Sequence, residues 1–373
     1  MSKFGLENVK KNFGFGCMRL PMKGDEVDTV EFTKMVDTFM ENGFNYFDTA
    51  HVYIGGKSEL ALRECLTSRY PRESFVFVNK LSGNCFNSQE EIRPFFQSQL
   101  EACGLEYFDI YLMHSQHKNN YGKYKECRAY ETAMELKREG KIKHLGLSFH
   151  DSAEFLEQIL TEHPEVEVVQ IQFNYADMDD PSIESRKCYE VCRKFGKPII
   201  VMEPVKGGGL VNLPDEAADI LASLGGGSQA SYAIRCAASF EGIIMVLSGM
   251  GNMDMMNDNL SYMKDFKPLT EEEFAAIEKV REVFANIDTI PCTDCKYCLE
   301  NCPQNIPIPK LFACLNNKRT WDTWASSFYY NIYTKEAGKP TDCIKCGLCE
   351  EACPQHLKIR DLLCEVAEIF EQK

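Results

Sequence analysis

At 373 residues, 44% hydrophobic and 26% charged, the chain has the composition of an ordinary globular protein with room for one large and one small domain. Its longest apolar runs, Ile199 to Met202 and Ile243 to Leu247, are far too short to span a bilayer, so no membrane association is expected. Formal net charge is −15, and Pro291 onward carries ten Lys/Arg against eleven Asp/Glu, so the first 290 residues form an acidic body that would repel a nucleic acid. The N-terminus, Met1 to Glu7, has neither the apolar core nor the small-residue cleavage site of an export signal, which places the 18 cysteines in a reducing, cytoplasmic compartment as thiols.

In chain order, strand-like runs occur at Phe13 to Met18, Phe44 to Asp48, Phe75 to Lys80, Phe108 to Met113, Ile142 to Ser148, Val166 to Gln172, Pro198 to Met202 and Ile243 to Leu247. Segments of helical length and amphipathic pattern separate them, among them Val30 to Asn42, Gln89 to Cys103, Tyr124 to Glu139 and Pro181 to Phe195. Eight β–α units in this length predict an α/β fold, a (β/α)8 TIM barrel, over residues 1–290. Its chemistry is expected at the C-terminal ends of the strands. The polar residues closing the strands are Asp48, Lys80, His114, Ser148, Gln170 or Gln172, Glu203 and Ser248.

Asp48-Thr-Ala-x-x-Tyr53, with a strand-final Lys80 and a strand-final His114, resembles the catalytic tetrad of the aldo/keto reductases, and the likeness runs in order and spacing over most of residues 10–265. The resemblance implies an oxidoreductase that interconverts a carbonyl and an alcohol by hydride transfer. Negative charge then develops on the carbonyl oxygen, and the site must supply a proton. Tyr53 is the candidate acid. Lys80 is expected to lower its pKa from the usual value of about 10. Asp48 would hold the Lys80 ammonium, which would otherwise tend to lose its proton when buried, and His114 would orient the carbonyl.

The same resemblance implies a nicotinamide cofactor across the barrel mouth: Ser148 and Gln170 on the carboxamide, Ser248, Gly249, Met250 and Asn252 around the phosphates, and Asp258 with Asn259 near the adenine. Three positions depart from the family. Phe149 stands where many members carry asparagine, and Glu203 where an aromatic often stacks on the nicotinamide. Gly249 to Met256 holds no Lys or Arg to grip a 2′-phosphate, which leans the expectation toward NAD rather than NADP. A flavin phosphate could use the Gly249 loop, but nothing in the sequence requires one. Glu203 reads equally as an extra acid or as a partner for Lys206. His51 either lines the substrate pocket or is an exposed loop histidine.

Near the end, one pattern occurs twice: Cys292-x2-Cys295-x2-Cys298-x3-Cys302-Pro, then Cys343-x2-Cys346-x2-Cys349-x3-Cys353-Pro. Two-residue gaps let three thiolates converge on one cuboidal cluster while the fourth serves the other cluster. Paired C-x2-C elements also build zinc sites, but each run here offers a second, consecutive C-x2-C step and a trailing C-x3-C-P, which a four-ligand zinc site does not need. The expectation is two [4Fe–4S] clusters, one on Cys292, Cys295, Cys298 and Cys353, the other on Cys343, Cys346, Cys349 and Cys302. The runs resemble bacterial-type two-cluster ferredoxins, and residues 291–373 are expected as a small ferredoxin-like domain. A forty-residue insert between Cys302 and Cys343 holds both tryptophans and reads as a packing helix or a docking surface. The other ten cysteines, Cys314 and Cys364 included, are expected to pack as small buried hydrophobes.

Three functions fit this reading. In the first, the clusters relay electrons between the barrel site and an external carrier such as ferredoxin. In the second, the protein is an electron-transfer or partner-binding protein on a lapsed barrel. In the third, it is an NAD(P)H reductase whose clusters are purely structural. Substrate and oligomeric state carry no readable code.

Overall fold

The computed structural model describes residues 6, 8–180, 183–292, 296–321, 324–335 and 337–371. The chain forms two compact units, Met1–Val205 with Ala230–Phe274, and Lys206–Gln229 with Ala275–Lys373.

The first unit is a closed, all-parallel barrel of eight strands: β1 Phe13–Gly16, β2 Tyr46–Asp48, β3 Val76–Leu81, β4 Phe108–Gln116, β5 Ile142–Phe149, β6 Val168–Gln172, β7 Ile199–Met202 and β8 Ile243–Ser248. Each strand pairs with its neighbour in sequence, and β1 closes the ring against β8, with Phe15 opposite Ser248 and Gly16 opposite Asp48. The strands are buried on both faces, which is why they read as continuous apolar runs; all six residues of β3 are buried. Alternate residues serve different layers. Val76, Val78, Ile110, Leu112, Val168, Ile200 and Met245 pack in one cluster with Leu6 and Val9. The intervening Phe77 and Tyr111 pack in an aromatic layer with Phe108, at the start of β4, and Phe96. Gly146 is required by this crowding, because a Cβ there would stand 2.6 Å from Leu112 and Val168.

The helices of this unit follow in order: α1 Thr29–Glu41, α2 Lys57–Leu62, α3 Gln89–Cys103, α4 Lys118–Glu126, α5 Ala129–Arg138, α6 Ala153–Glu162 and α7 Ser185–Lys194. α1 shows why they form. Asp28 accepts from the amides of Val30 and Glu31 as its N-cap, and Phe32, Met35, Val36 and Phe39 make one buried stripe. The single helix expected over Tyr124 to Glu139 is instead two, broken at Arg128, which is left-handed at φ 50°. α4 starts earlier because its Tyr124 is anchored, its hydroxyl donating to the carbonyls of Leu81 (2.8 Å) and His114 (3.0 Å). The helix expected from Pro181 begins at Ser185, and Pro181 lies outside the described residues.

Helix α8 Asp215–Ala222 belongs to the second unit, α9 Gln229–Ala238 and α10 Met253–Met263 to the barrel, and α11 Glu271–Ala285 runs across the division. The rest of the second unit holds α12 Tyr297–Glu300, α13 Ile308–Trp321, α14 Trp324–Tyr333, α15 Leu348–Glu351 and α16 Ile359–Phe370. Its core is small: Ile306, Ile308, Leu311, Phe312, Leu315, Ile359, Leu363 and Val366, completed by Cys298, Cys314, Cys349 and Cys353. The repeated cysteine pattern has a repeated backbone. α12 and α15 both start after a left-handed residue, Lys296 and Gly347, and Asn305 and His356, three residues past Cys302 and Cys353, are both left-handed at φ 51°.

The insert forms α13 and α14. Trp321 packs against Gly209 and Phe284, and Arg319 makes a two-pronged pair with Glu365 at 2.6 and 2.7 Å. Phe328, Tyr329 and Ile332 are exposed on α14. Cys314 is buried as expected, but Cys364 is exposed, because it lies on α16 beside the buried Leu363 and turns away from the core. Among the described residues no helix is long and apolar enough to cross a membrane.

Candidate active site

The strands β2, β3 and β4 and the segment after β2, which carries Tyr53, place the four candidate side chains at one mouth of the barrel. Lys80 ends β3 wholly buried, and its ammonium donates to Asp48 Oδ1 at 2.5 Å, to the Thr49 carbonyl at 2.8 Å and to the Tyr53 hydroxyl at 3.2 Å. Asp48, 3% exposed at the end of β2, accepts on its other oxygen from Gln170 Nε2 at 3.2 Å. His114, on β4, stands edge-on to the Tyr53 ring at 6.0 Å between centroids and shares a 2.6 Å hydrogen bond between its Nδ1 and Ser82 Oγ.

Burial pulls Lys80 toward deprotonation, but the Asp48 carboxylate and the Tyr53 hydroxyl more than compensate, and its pKa lies above the usual lysine value. Burial and then the Lys80 ammonium push His114 well below its ordinary value, leaving a neutral imidazole at pH 7. Tyr53 departs from expectation: burial raises it more than Lys80 lowers it, so its net shift is upward. Its hydroxyl is therefore fully protonated at neutral pH.

A polar network lies behind Lys80. Glu59 on α2 is fully buried. Its Oε1 accepts from Asn79 Nδ2 (2.8 Å) and Gln99 Nε2 (3.2 Å), and its Oε2 meets His51 Nδ1 at 2.7 Å. Gln99 also donates to the Lys80 carbonyl at 3.1 Å and accepts from the Tyr111 hydroxyl at 2.6 Å, while Asn79 Oδ1 accepts from the Lys80 amide. His51 is thus a half-exposed side chain with one nitrogen committed inward.

Around the mouth, Ser148 is buried and accepts from the Ser115 amide at 2.7 Å. Ser248 Oγ accepts from Asn259 Nδ2 at 3.0 Å, and the buried Asn259 accepts in turn from the Tyr262 hydroxyl, so this pair braces the loop before α10. Asn252 caps α10 by accepting from the Met255 amide at 2.9 Å. Gly249 and Asn252 are exposed, Met250 is buried and Asp258 half-buried. Gln172 donates to Asp177 at 2.7 Å instead of serving the mouth. Glu203 follows β7 in a left-handed conformation at φ 55°, its carbonyl accepting from the buried Asn174 at 3.0 Å and its carboxylate 3.7 Å from Arg19. Arg19 also reaches Gly249: its Cβ lies 3.7 Å from where a Gly249 Cβ would stand.

In the second unit the thiols line two small cavities, Cys292, Cys298 and Cys353 one of them and Cys302, Cys343, Cys346 and Cys349 the other. Cys295 lies outside the described residues. The donor set is all sulfur, the chemistry that iron–sulfur clusters take, and each cavity draws one wall from the opposite cysteine run.

Residues 12–282 match the aldo/keto reductase family. The chain belongs to that family. Residues 291–357 of this aldo/keto reductase match the 4Fe-4S dicluster domain, so an oxidoreductase barrel and an iron–sulfur domain share one chain. An aldo-keto reductase of Mycobacterium sp. is 26% identical over 74% of this chain and 92% of its own length. The 4-dihydromethyl-trisporate dehydrogenase of Mucor mucedo is 35% identical over 27% of this chain, and the match spans only 30% of that protein. Among solved structures, an aldo-keto reductase from Klebsiella pneumoniae in complex with NADPH superposes with a TM-score of 0.59 at 17% identity, covering 73% of this chain and 95% of its own.

Several residues of this reductase's mouth escaped the sequence reading. Ser82 gave a weak signal, as a polar residue two positions past Lys80. Glu59, Asn79 and Gln99 gave none, because polar residues on α2, β3 and α3 look like solvated positions until the fold buries them. Arg19 belongs to the loop after β1, and only the closure of β1 on β8 brings it to Gly249.

Proposed function

We propose that the barrel mouth interconverts a carbonyl and an alcohol with a nicotinamide cofactor, and that two [4Fe–4S] clusters relay electrons between this site and an external carrier such as a ferredoxin. The observation that carries the reading is the Lys80 ammonium, which bridges the Asp48 carboxylate and the Tyr53 hydroxyl inside a buried barrel end. Nicotinamide, when bound, supplies the hydride. The chain's own residues supply the rest.

The protonated Tyr53 hydroxyl donates its proton to the developing alkoxide, and the adjacent Lys80 ammonium stabilises the phenolate that remains. Asp48 keeps Lys80 charged, and Gln170 keeps Asp48 oriented. His114, anchored through its Nδ1 to Ser82, would orient the carbonyl oxygen beside Tyr53, a role that calls for the tautomer with the hydrogen on Nε2. Ser148 and Gln170 would hold the carboxamide, Ser248, Gly249, Met250 and Asn252 the phosphates, and Asp258 with Asn259 the adenine end. NAD is preferred to NADP because Asp254 stands in the first turn of α10 and the stretch from Gly249 to Met256 has no cation of its own. Arg19 is a cation brought to that loop from elsewhere, and tighter binding of NADPH than NADH would reverse the assignment.

The clusters are assigned crosswise, to Cys292, Cys295, Cys298 and Cys353 and to Cys343, Cys346, Cys349 and Cys302. The two thiol-lined cavities support this, since each mixes both runs. Residues 1–290 would then be the catalytic domain and 291–373 the electron port, in the cytoplasm, where clusters and thiols persist. Tyr53→Phe tests the reading. Carbonyl reduction by the purified protein should fall about 10²-fold or more, and unchanged reduction would refute the assignment.

A further inference from the structure

Three donors converge on one buried carboxylate: Asn79 Nδ2 and Gln99 Nε2 on one oxygen of Glu59, and His51 Nδ1 on the other. An ionised Glu59 accepts on both oxygens and so makes Nδ1 the protonated nitrogen of His51, whereas a glutamine would offer an acceptor on one side only and force the other tautomer. The connections matter because of where they lead. Glu59 sits on α2, directly after the loop that carries Tyr53, a loop that turns through left-handed Ile54 and Gly55. Asn79 and Gln99 hold the backbone amide and carbonyl of Lys80. The carboxylate therefore joins the segment bearing the acid to the strand bearing the ammonium. His51, two residues before Tyr53, closes the network at the half-exposed end, its ring edge-on to Phe95 at 5.2 Å.

We propose that Glu59 is a positioning residue for this site, holding the Tyr53 loop against the Lys80 strand and setting the 3.2 Å contact between them, with His51 as the third donor that completes its hold. The inference rests on Tyr53 as the acid. Glu59 touches neither substrate nor cofactor and acts through two groups that do. Buried polar networks are stiff when every member is satisfied, and losing one acceptor leaves a donor facing a donor.

The test is steady-state carbonyl reduction by the intact holoenzyme across pH, for wild type, Tyr53→Phe, Glu59→Gln, His51→Phe and His51→Asn, with melting temperature followed in parallel. Glu59→Gln should lower kcat about 10- to 100-fold, the range expected when a reacting group is displaced by about 1 Å. The KM for the nicotinamide should stay within about twofold, because uniform binding is untouched. Lys80 lowers the Tyr53 pKa, so a loosened contact should move the alkaline limb of the kcat profile to higher pH. His51→Phe should move it the same way by less, and His51→Asn, which keeps a donor near the Nδ1 position, should restore it. Wild-type kcat and profile in Glu59→Gln would overturn the inference, as would equal losses in His51→Phe and His51→Asn. If Glu59→Gln does not fold, the two His51 variants decide. Undiminished activity in Tyr53→Phe would instead refute the acid assignment, so the two failures are told apart.

Discussion

The two units of this reductase order their functional side chains in opposite ways. In the barrel, Asp48, Lys80 and His114 hang from strands fixed by parallel pairing and by a core packed on both faces, and Lys80 has all three of its donors satisfied by protein. In the second unit the described cysteines of the repeated pattern sit in loops and on the short helices α12 and α15, and three of them, Cys298, Cys349 and Cys353, are part of a core built from few large apolar residues. On the proposed assignment the barrel forms its site without a ligand, whereas the cysteine unit would need its clusters to finish its core, because metal binding to thiolates would there be folding free energy.

Iron removal should expose this difference most strongly. Chelation under reducing conditions should make residues beyond Pro291 sensitive to limited proteolysis while the barrel keeps its circular dichroism; loss of both together would show that the barrel is not self-sufficient. Paired cysteine variants come next. If ligation is crossed, Cys302→Ser with Cys346→Ser strikes one cluster and should leave about half the iron. Cys302→Ser with Cys298→Ser strikes both and should leave almost none. Uncrossed ligation predicts the reverse, and iron assay with electron paramagnetic resonance separates the two.

Within the barrel, Lys80→Met should reduce kcat by about 10³-fold. It should also destabilise the fold by about 3–5 kcal/mol, since the Asp48 carboxylate is left buried without its cation. Adding Asp48→Asn should recover much of that stability and none of the activity. Denaturant midpoints and kcat, measured on the same preparations, check both halves.

The smallest effect lies at the opposite end of the barrel, before β6. Burial would raise the Glu167 carboxyl, but His144, Lys137 and the Leu145 amide together hold it down at about 2. A folded pKa below the unfolded one gives stability that is present above about pH 4.5 and lost as pH falls toward 2. Glu167→Gln should flatten the stability profile in that window only. With the carboxylate 36% exposed, the effect at pH 7 should stay below about 1 kcal/mol.

The same contrast explains what could be read from sequence. All eight strands were legible because burial on both faces makes them apolar runs, and Asp48, Lys80 and His114 were legible because a polar residue ending such a run has few other reasons to be there. The cysteine runs were legible because their spacing is itself the ligand geometry. Glu59, Gln99 and Arg19 were not, since each gains its meaning from a partner more than fifteen residues away. The split at Arg128 was hidden for a similar reason: Tyr124 is anchored to carbonyls of β3 and β4, which no local helical pattern reveals. The upward shift of Tyr53 was missed because the residue types name the Lys80 charge but not the depth of burial that opposes it.

In the proposed function the hydride site and the clusters exchange electrons. Anaerobic titration of the reconstituted protein with NADH, followed by the visible absorbance of the clusters and with dithionite as the endpoint, tests it most directly. NADH should bleach the chromophore, one two-electron donor reducing two one-electron clusters. Full bleaching by dithionite with none by NADH or NADPH would contradict it.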